Sequence, residues 1–400
     1  MTKTIKKYTS KQNKTKKNYS WKNLQQVDCR YLENSKKKKN VVKLKKIALE
    51  EAIMWPTQDE DVDESTPLEY IIVSGKGYDK TNRLLDIKDT RLKEMKKNNV
   101  ICQVISPTAS GIQSLNHKSN IFPVKKSIEV NDYMYESIKD DPKHFKAFAV
   151  LPMTHPKEAA EELERCVKKL KMVGALVNGN QLLYKNGKQQ ALFYDTPEYD
   201  VLWEKFVELD VPLYIHPTVY TSPGGIEAND PDVLEFYKQY PQLPSSAWGF
   251  SINLAEHILR LILSGVFDRF PKFKLILGHM GEVLPWWAER FDHRLCVYKQ
   301  ELKMISKSDF KKNNLHLFSI PKLTLTEYLR RNIYFTTSGW FSDDALKYLI
   351  KKVGIDRIMF SIDYPYEKQS IASEWMDNVP LPLKDREKIA YKNAKRILKI

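Results

Sequence analysis

The chain has 400 residues, of which 42% are hydrophobic and 11% aromatic, enough apolar material for one large globular core or two ordinary ones. A net charge of +15 suggests a nucleic-acid binder, but residues 1–40 hold 13 Lys/Arg against 2 Asp/Glu and so carry +11 of it. Only +4 is left for the rest, so the basic balance belongs to the start of the chain and excludes a uniformly basic fold.

Residues 1–43 come first: KKYTSKQNKTKKNYSWKN and then KKKK at 36–39, without apolar periodicity. A segment of this kind buries too little to offset its ordering entropy, and it reads as a disordered basic tail. A nuclear address or a nucleic-acid-binding arm is the competing use of it; a solvated extension is the simpler one. The tail has no apolar core of a secretory signal, and no run of 18 apolar residues suggests a membrane span. The cysteines, Cys29, Cys102, Cys166 and Cys296, are scattered with no C-x-x-C pair. That usage fits reduced thiols in the cytoplasm and no disulfide or zinc-finger framework.

From residue 44 to 400, short β-type runs alternate with longer amphipathic stretches. Eight strands are expected, at 45–52, 100–106, 145–152, 172–178, 212–218, 274–281, 333–339 and 357–365. Between them lie helical patterns such as EAAEELERCVKKL (158–170) and LAEHILRLILSGVF (254–267), the latter with Leu254, Ile258, Leu261 and Ile262 at helical spacing. Eight strands each followed by a helix predict an α/β fold, a (β/α)8 TIM-type barrel. A doubly wound sheet is the alternative, but no Gly-rich phosphate loop follows the first strand. Two connections are long, 53–80 and 219–250; the first contains DEDVDE, the second mixes turn residues with aromatics, and such loops serve as lids or as plain insertions.

Side chains alternate across a strand. In the first strand Ile47, Leu49 and Glu51 share one face and Ala48, Glu50 and Ala52 the other, so Glu50 is expected inside the barrel and Glu51 outside, meeting solvent or a cation. By the same parity His216 lies opposite Leu213 and Ile215, and Asp363 opposite Ile358, Phe360 and Ile362. His279 follows Leu275 and Leu277 in parity, and Glu282 comes one turn later. All of these sit at C-terminal strand ends, where barrel enzymes place their sites. Glu50, His216 and Asp363 form an oxygen-rich set suited to Mn²⁺ or Mg²⁺, with Zn²⁺ a third candidate, and leave positions open for substrate. His279 and Glu282 form an acid/base pair beside them. A ring of structural ion pairs closing the barrel is the bland alternative. His117, His144, His155, His293 and His316 fall in loops or on helices and are expected to be solvated; His257, on a helix, is expected to be a surface or satisfied core histidine, with support for the site as the alternative.

KIALEEA, GALVNG, LDVPLYIHP, LRLILSGVFDRFPKFKLILGHMGE, FTTSGWFS and FSIDYP together resemble the amidohydrolase-related superfamily over about residues 44–400. More narrowly they resemble its metal-dependent aromatic-acid decarboxylases, such as 2,3-dihydroxybenzoate and γ-resorcylate decarboxylases. The resemblance implies a metal-bearing barrel that cleaves a C–C bond without an organic cofactor, acting on a small aromatic or cyclic acid, and a homodimer. By position, Glu50, His216 and Asp363 match the metal ligands and His279 and Glu282 the H-x-x-E pair. Arg290 matches an arginine with which some members hold the substrate carboxylate. Asp363, held by His279, would protonate the ring carbon, which requires a carboxyl that keeps its proton near neutrality. The chain departs from the family at Asn253, where a Glu is usual, and at Ile53, where an aromatic is usual and where the substrate pocket could be reshaped. A hydrolase of the same superfamily, acting on a lactone or cyclic amide, is the runner-up; Ala52 in place of the second His of an H-x-H pair favours the decarboxylase. A non-catalytic barrel whose tail binds nucleic acid is the third reading.

Overall fold

The eight expected strands all appear, and a single ring of parallel pairings joins them. The structure, a computed structural model, describes residues 42–58, 80–109, 111–115, 122–185, 188–218, 240, 243, 245–312 and 320–400, all of them in one contact unit spanning residues 40–400. Nearly all of the basic tail with Cys29, the acidic run 59–64, most of the loop after 218, His117 and His316 lie outside the described residues. The strands are β1 (Lys46–Ile53), β2 (Val100–Pro107), β3 (Phe145–Ala147), β4 (Ala175–Asn178), β5 (Gln181–Lys185), β6 (Lys188–Leu192), β7 (Leu213–His216), β8 (Leu275–Leu277), β9 (Ile333–Thr336) and β10 (Ile358–Met359). β5 and β6 form an antiparallel hairpin that the sequence pattern did not anticipate.

The remaining eight run parallel as β1-β2-β3 and β4-β7-β8-β9-β10. Two bridges join these sheets, Ala149↔Ala175 on one side and Glu51↔Tyr364 on the other. The ring is therefore closed in chain order, as the (β/α)8 expectation required. Inside it lies an apolar cluster that draws on every one of the eight strands or the residue just after it: Ile47 and Leu49, Cys102 and Val104, Phe148, Leu176, Tyr214, Ile276, Tyr334 and Met359. Ala394, Ile397 and Leu398 of the last helix (Asn393–Leu398) join the same cluster. The opposite faces, including Val177, Ile215, Leu277, Phe335 and Phe360, pack against the outer helices.

Those helices follow from their spacing. In Pro156–Lys168, Ala159, Ala160, Leu163 and Cys166 are buried along one stripe, with Pro at the first turn. The pattern read as one helix over 254–267 is two: Gly249–Leu263, and Val266–Arg269 after Gly265, whose φ of 79° breaks the run. No helix among the described residues is long and apolar enough to cross a membrane.

The first strand corrects the parity argument. Ile47 and Leu49 face the barrel interior and Ala48 faces outward, the reverse of the expectation. Yet Glu50 is inside, because between the pairs Ala48↔Gln103 and Glu51↔Ile105 two residues of β1, Leu49 and Glu50, oppose one of β2, Val104. This is a β-bulge, whose extra residue re-aims a side chain and leaves ladder groups unpaired. The hydroxyl of Ser361 accepts from both freed amides, Leu49 N at 3.1 Å and Glu50 N at 2.7 Å.

Glu51 does face away from the interior, but it does not reach solvent, being 0% exposed. The Ile362 N–H donates to its Oε1 at 3.0 Å and the Ser361 hydroxyl at 3.2 Å. Burial pushes its pKa up to about 8, against the pull of the Ile362 amide and of the nearby Arg91 charge. Arg91, itself fully buried, donates to the carbonyls of Ala52 (2.6 Å), Asp86 (3.1 Å) and Arg83 (3.3 Å) and lies 4.6 Å above the ring of Tyr364. Removing that cation strands several buried acceptors. Arg91→Leu is therefore expected to lower stability by about 3 kcal/mol or more, measured by urea unfolding.

Candidate active site

Five of the six expected site residues meet at the C-terminal mouth of the barrel. Glu50 is 4% exposed. Its Oε2 accepts a hydrogen bond from the Tyr214 hydroxyl, and its Oε1, buried, accepts none among the described residues. Around Oε1 stand two imidazoles, His216 Nε2 at 3.6 Å and His279 Nδ1 at 3.9 Å. His279 Nδ1 also lies 3.4 Å from Glu282 Oε1, and its Nε2 lies 3.4 Å from Asp363 Oδ2. Donor atoms of Glu50, His279 and Asp363 all fall within 4.8 Å of one another, close enough to share a cation. That trio differs from the expected set by one member, His279 standing where His216 was expected. His216 is still poised for a ligand: its Nδ1–H donates to the Pro217 carbonyl at 2.7 Å, which leaves Nε2 facing Glu50.

His279 arrives by a different route from the one its parity suggested. Leu275 and Leu277 belong to the outer cluster and Ile276 to the inner, so continued alternation would turn residue 279 outward. The strand ends at Leu277 instead, and His279, Met280 and Glu282 take positive φ angles of 50°, 54° and 53°. That turn rotates the imidazole back inside. Asp363 also has positive φ, 77°. Left-handed conformations in non-glycine residues cost free energy and persist where packing over-determines them. Here they supply the histidine, its partner and one carboxylate.

The neighbours fix the electrostatics. Burial alone would lower the His279 pKa, but Glu50, Asp363 and Glu282 overcome it and raise it to about 10. Burial raises the pKa of Glu282, with His279 and the Ser251 hydroxyl, which donates to its Oε2 at 2.6 Å, pulling the other way. Gly278 makes the crowding possible, since a Cβ there would lie 2.6 Å from Glu50 Oε2. Gly278→Ala should displace the Glu50 carboxylate and weaken metal retention, read by elemental analysis of the purified variant.

Arg290 is not part of this constellation. It is exposed on the helix Leu284–Leu302, and no hydrogen bond or ion pair joins it to the cluster among the described residues. Ile53 is buried in the outer core and does not shape the mouth of the barrel. Asn253, in place of the usual Glu, accepts from Thr218 N at 3.1 Å and donates to Asn180 Oδ1 at 2.6 Å, tying together the ends of neighbouring strands. Of the other histidines, His293 is exposed and His144 and His155 are half-buried, outside the cluster. Two polar residues at the mouth were missed, Tyr214 and Asn178. Tyr214 had the inward parity of His216, which would have found it. Asn178 pairs with His216 in register and is 1% exposed, and neither of its amide atoms has a hydrogen-bond partner among the described residues.

His257 is a core residue rather than a support for the site. It is 0% exposed and lies 5.5 Å from the Phe193 ring and 5.1 Å from the Tyr194 ring. Burial, with Arg260 adding to it, pushes its pKa down to about 3, against the pull of the Phe193 backbone. The unfolded chain then takes up this proton near the ordinary value of about 6.5, and the folded chain only near 3. Stability contributed by the neutral ring is complete above that ordinary value. It is lost as pH falls, by roughly 1.4 kcal/mol per unit. His257→Phe should flatten the acid limb of a stability profile measured between about pH 7 and 4.

A family model described as amidohydrolase matches residues 80–400. The γ-resorcylate decarboxylase of a Rhizobium species is 36% identical over 359 residues, 89% of this chain and 98% of that protein. A solved 2,6-dihydroxybenzoate decarboxylase in complex with 2,6-dihydroxybenzoate superposes with a TM-score of 0.73 and 35% identity, over 89% of this chain and all of the other. A dihydroxybenzoic acid decarboxylase from a Polaromonas species, with bound manganese and the inhibitor 2-nitroresorcinol, gives a TM-score of 0.73 and 34% identity, over 89% of this chain and 97% of that one.

Proposed function

The chain belongs to the amidohydrolase family, and from that premise we propose that it is a metal-dependent, non-oxidative decarboxylase of a hydroxylated aromatic acid of the 2,6-dihydroxybenzoate kind. The observation that carries this reading is Glu50 Oε1, a buried carboxylate oxygen with no hydrogen-bond donor among the described residues and two imidazoles beside it. A buried oxygen left in that state is costly unless a cation completes it. The oxygen and nitrogen donors, without sulfur, suit Mn²⁺ or Mg²⁺ and accept Zn²⁺. Glu50, His216 and Asp363 would hold the ion, with His279 close enough to Glu50 and Asp363 to serve as well. Held there, a divalent cation would supply positive charge to neutralise and orient an anionic substrate.

The chain's own residues then manage the proton. His279 carries one between Asp363 and Glu282, 3.4 Å from each. Asp363 Oδ2 delivers a proton to the ring carbon that bears the carboxylate, the C–C bond breaks, CO₂ leaves and the ring regains aromaticity. His279 Nε2 returns a proton to Asp363 and takes its replacement from solvent, while Glu282, anchored by Ser251, keeps the imidazole oriented. Arg290 would meet a carboxylate only from the exposed helix on which it stands. That helix also exposes Trp286, Trp287 and Tyr298, apolar area of the kind a second copy covers. This supports a homodimer. The free thiols Cys102, Cys166 and Cys296 support a cytoplasmic location, and the working division is a basic tail over 1–43 and a barrel over 44–400.

The test is metal analysis of the full chain together with CO₂ release from a panel of hydroxybenzoates. Stoichiometric metal, chelator-sensitive CO₂ release and restoration by Mn²⁺ are expected, and Asp363→Asn should lower kcat by roughly 10²–10⁴-fold. A folded protein without metal would overturn the reading. Lactone hydrolysis without CO₂ release would replace it with the hydrolase.

A further inference from the structure

We infer that Tyr214, with Thr336 and Ser338 behind it, is a positioning residue that pins one oxygen of Glu50 by a one-way hydrogen-bond chain and so presents the other to the cation. The chain is continuous. The backbone N–H of His279 donates to Ser338 Oγ at 3.0 Å. Ser338 Oγ lies 3.0 Å from Thr336 Oγ1, and Thr336 Oγ1 lies 2.8 Å from the Tyr214 hydroxyl. Tyr214 in turn bonds to Glu50 Oε2.

Its polarity is forced from both ends. A carboxylate only accepts, so Tyr214 spends its single proton on Glu50 and must accept from Thr336. Thr336 then has no second proton and accepts from Ser338, which donates forward and receives the His279 amide. Each hydroxyl donates once and accepts once, so no member can turn without breaking its neighbours' bonds. Tyr214, Thr336 and Ser338 are all 0% exposed, and water does not compete for these bonds.

The geometry gives the chain a purpose beyond packing. It begins at the turn that carries His279, crosses β9 and β7, and ends on the bulge that carries Glu50, so two groups of the site on different strands are held by one network. With Oε2 fixed, Glu50 binds a cation through Oε1 alone. Partners of this kind, one bond behind a metal ligand, set both ligand orientation and affinity.

This inference rests on the decarboxylase reading only in needing a cation at Glu50. The experiment titrates the metal-stripped full chain with Mn²⁺ and follows the free aquo ion by electron paramagnetic resonance. Tyr214→Phe should weaken Mn²⁺ binding by roughly 10–100-fold, with kcat at saturating Mn²⁺ changed much less than the Mn²⁺ requirement. Thr336→Val, which keeps the side chain's shape, should weaken binding in the same direction, and Thr336→Ser, which keeps the hydroxyl, should bind as the wild type does. If Tyr214→Phe does not fold, the Thr336 pair decides alone. Wild-type affinity in Thr336→Val, or equal loss in Thr336→Val and Thr336→Ser, overturns the chain while leaving the decarboxylase reading intact. A folded wild type that binds no Mn²⁺ overturns both.

Discussion

Everything at the mouth of this barrel depends on how its first and last strands meet. A regular parallel ladder between β1 and β2 would hold the ring closed but would turn Glu50 outward. The protein instead inserts a bulge into β1 and lets one hydroxyl, that of Ser361, receive the two amides the bulge frees. Glu51 and the Ile362 amide complete the seam, and Ala52 N donates to Tyr364 O at 2.7 Å. The seam therefore performs two tasks. It closes the barrel, and it delivers Glu50 from one side and Asp363 from the other to the same point.

The site that results is out of electrostatic balance by itself. Three carboxylates, those of Glu50, Glu282 and Asp363, converge on two imidazoles with little access to water. Like charges at such separations in a poorly solvated place call for a counter-charge. A proton on His279 answers part of that demand, and Tyr214 answers part by donating to Glu50. The positive φ angles at His279, Met280, Glu282 and Asp363 show the backbone bearing strain in the same place. Strain and unbalanced charge in one cluster, inside a well-packed barrel, are what a site built to hold a cation would display.

The parts away from the mouth explain why such a site is tolerable. Two apolar layers, one inside the ring and one beneath the helices, contain nearly all the large aliphatic side chains of the eight barrel strands. Several buried polar residues elsewhere are matched: Arg91 by three carbonyls, Lys46 by Asp377 at 2.8 Å, Asn253 by Thr218 and Asn180. The same principle accounts for the departure at position 253. An amide there both accepts from Thr218 N and donates to Asn180 Oδ1, which an acceptor-only carboxylate could not do.

How much of this could be read from the amino-acid order divides along a physical line. Alternation of polarity with period two located the strands, and helical spacing located the helices between them, because burial on one face leaves a local, repeating mark. The end of β7 could be read for the same reason, since His216 obeys unbroken alternation, and the same parity reaches Asp363 although its φ is positive. Alternation failed at β1 and β8. There a bulge and a left-handed turn change which way a side chain points, and neither leaves a periodic trace. Glu50 was placed correctly only because the bulge reversed a parity that had been assigned backwards. Parity points Glu51 outward, to solvent or a cation, and cannot show its burial, because its partners include Ser361 and Ile362, which lie 310 and 311 residues away. The one-dimensional order thus determined the elements and the kinds of chemical groups at their ends. Only the closed ring decided which oxygen of Glu50 is bonded, which is bare, and which histidines face it, because those facts depend on strands that meet in space and never in sequence.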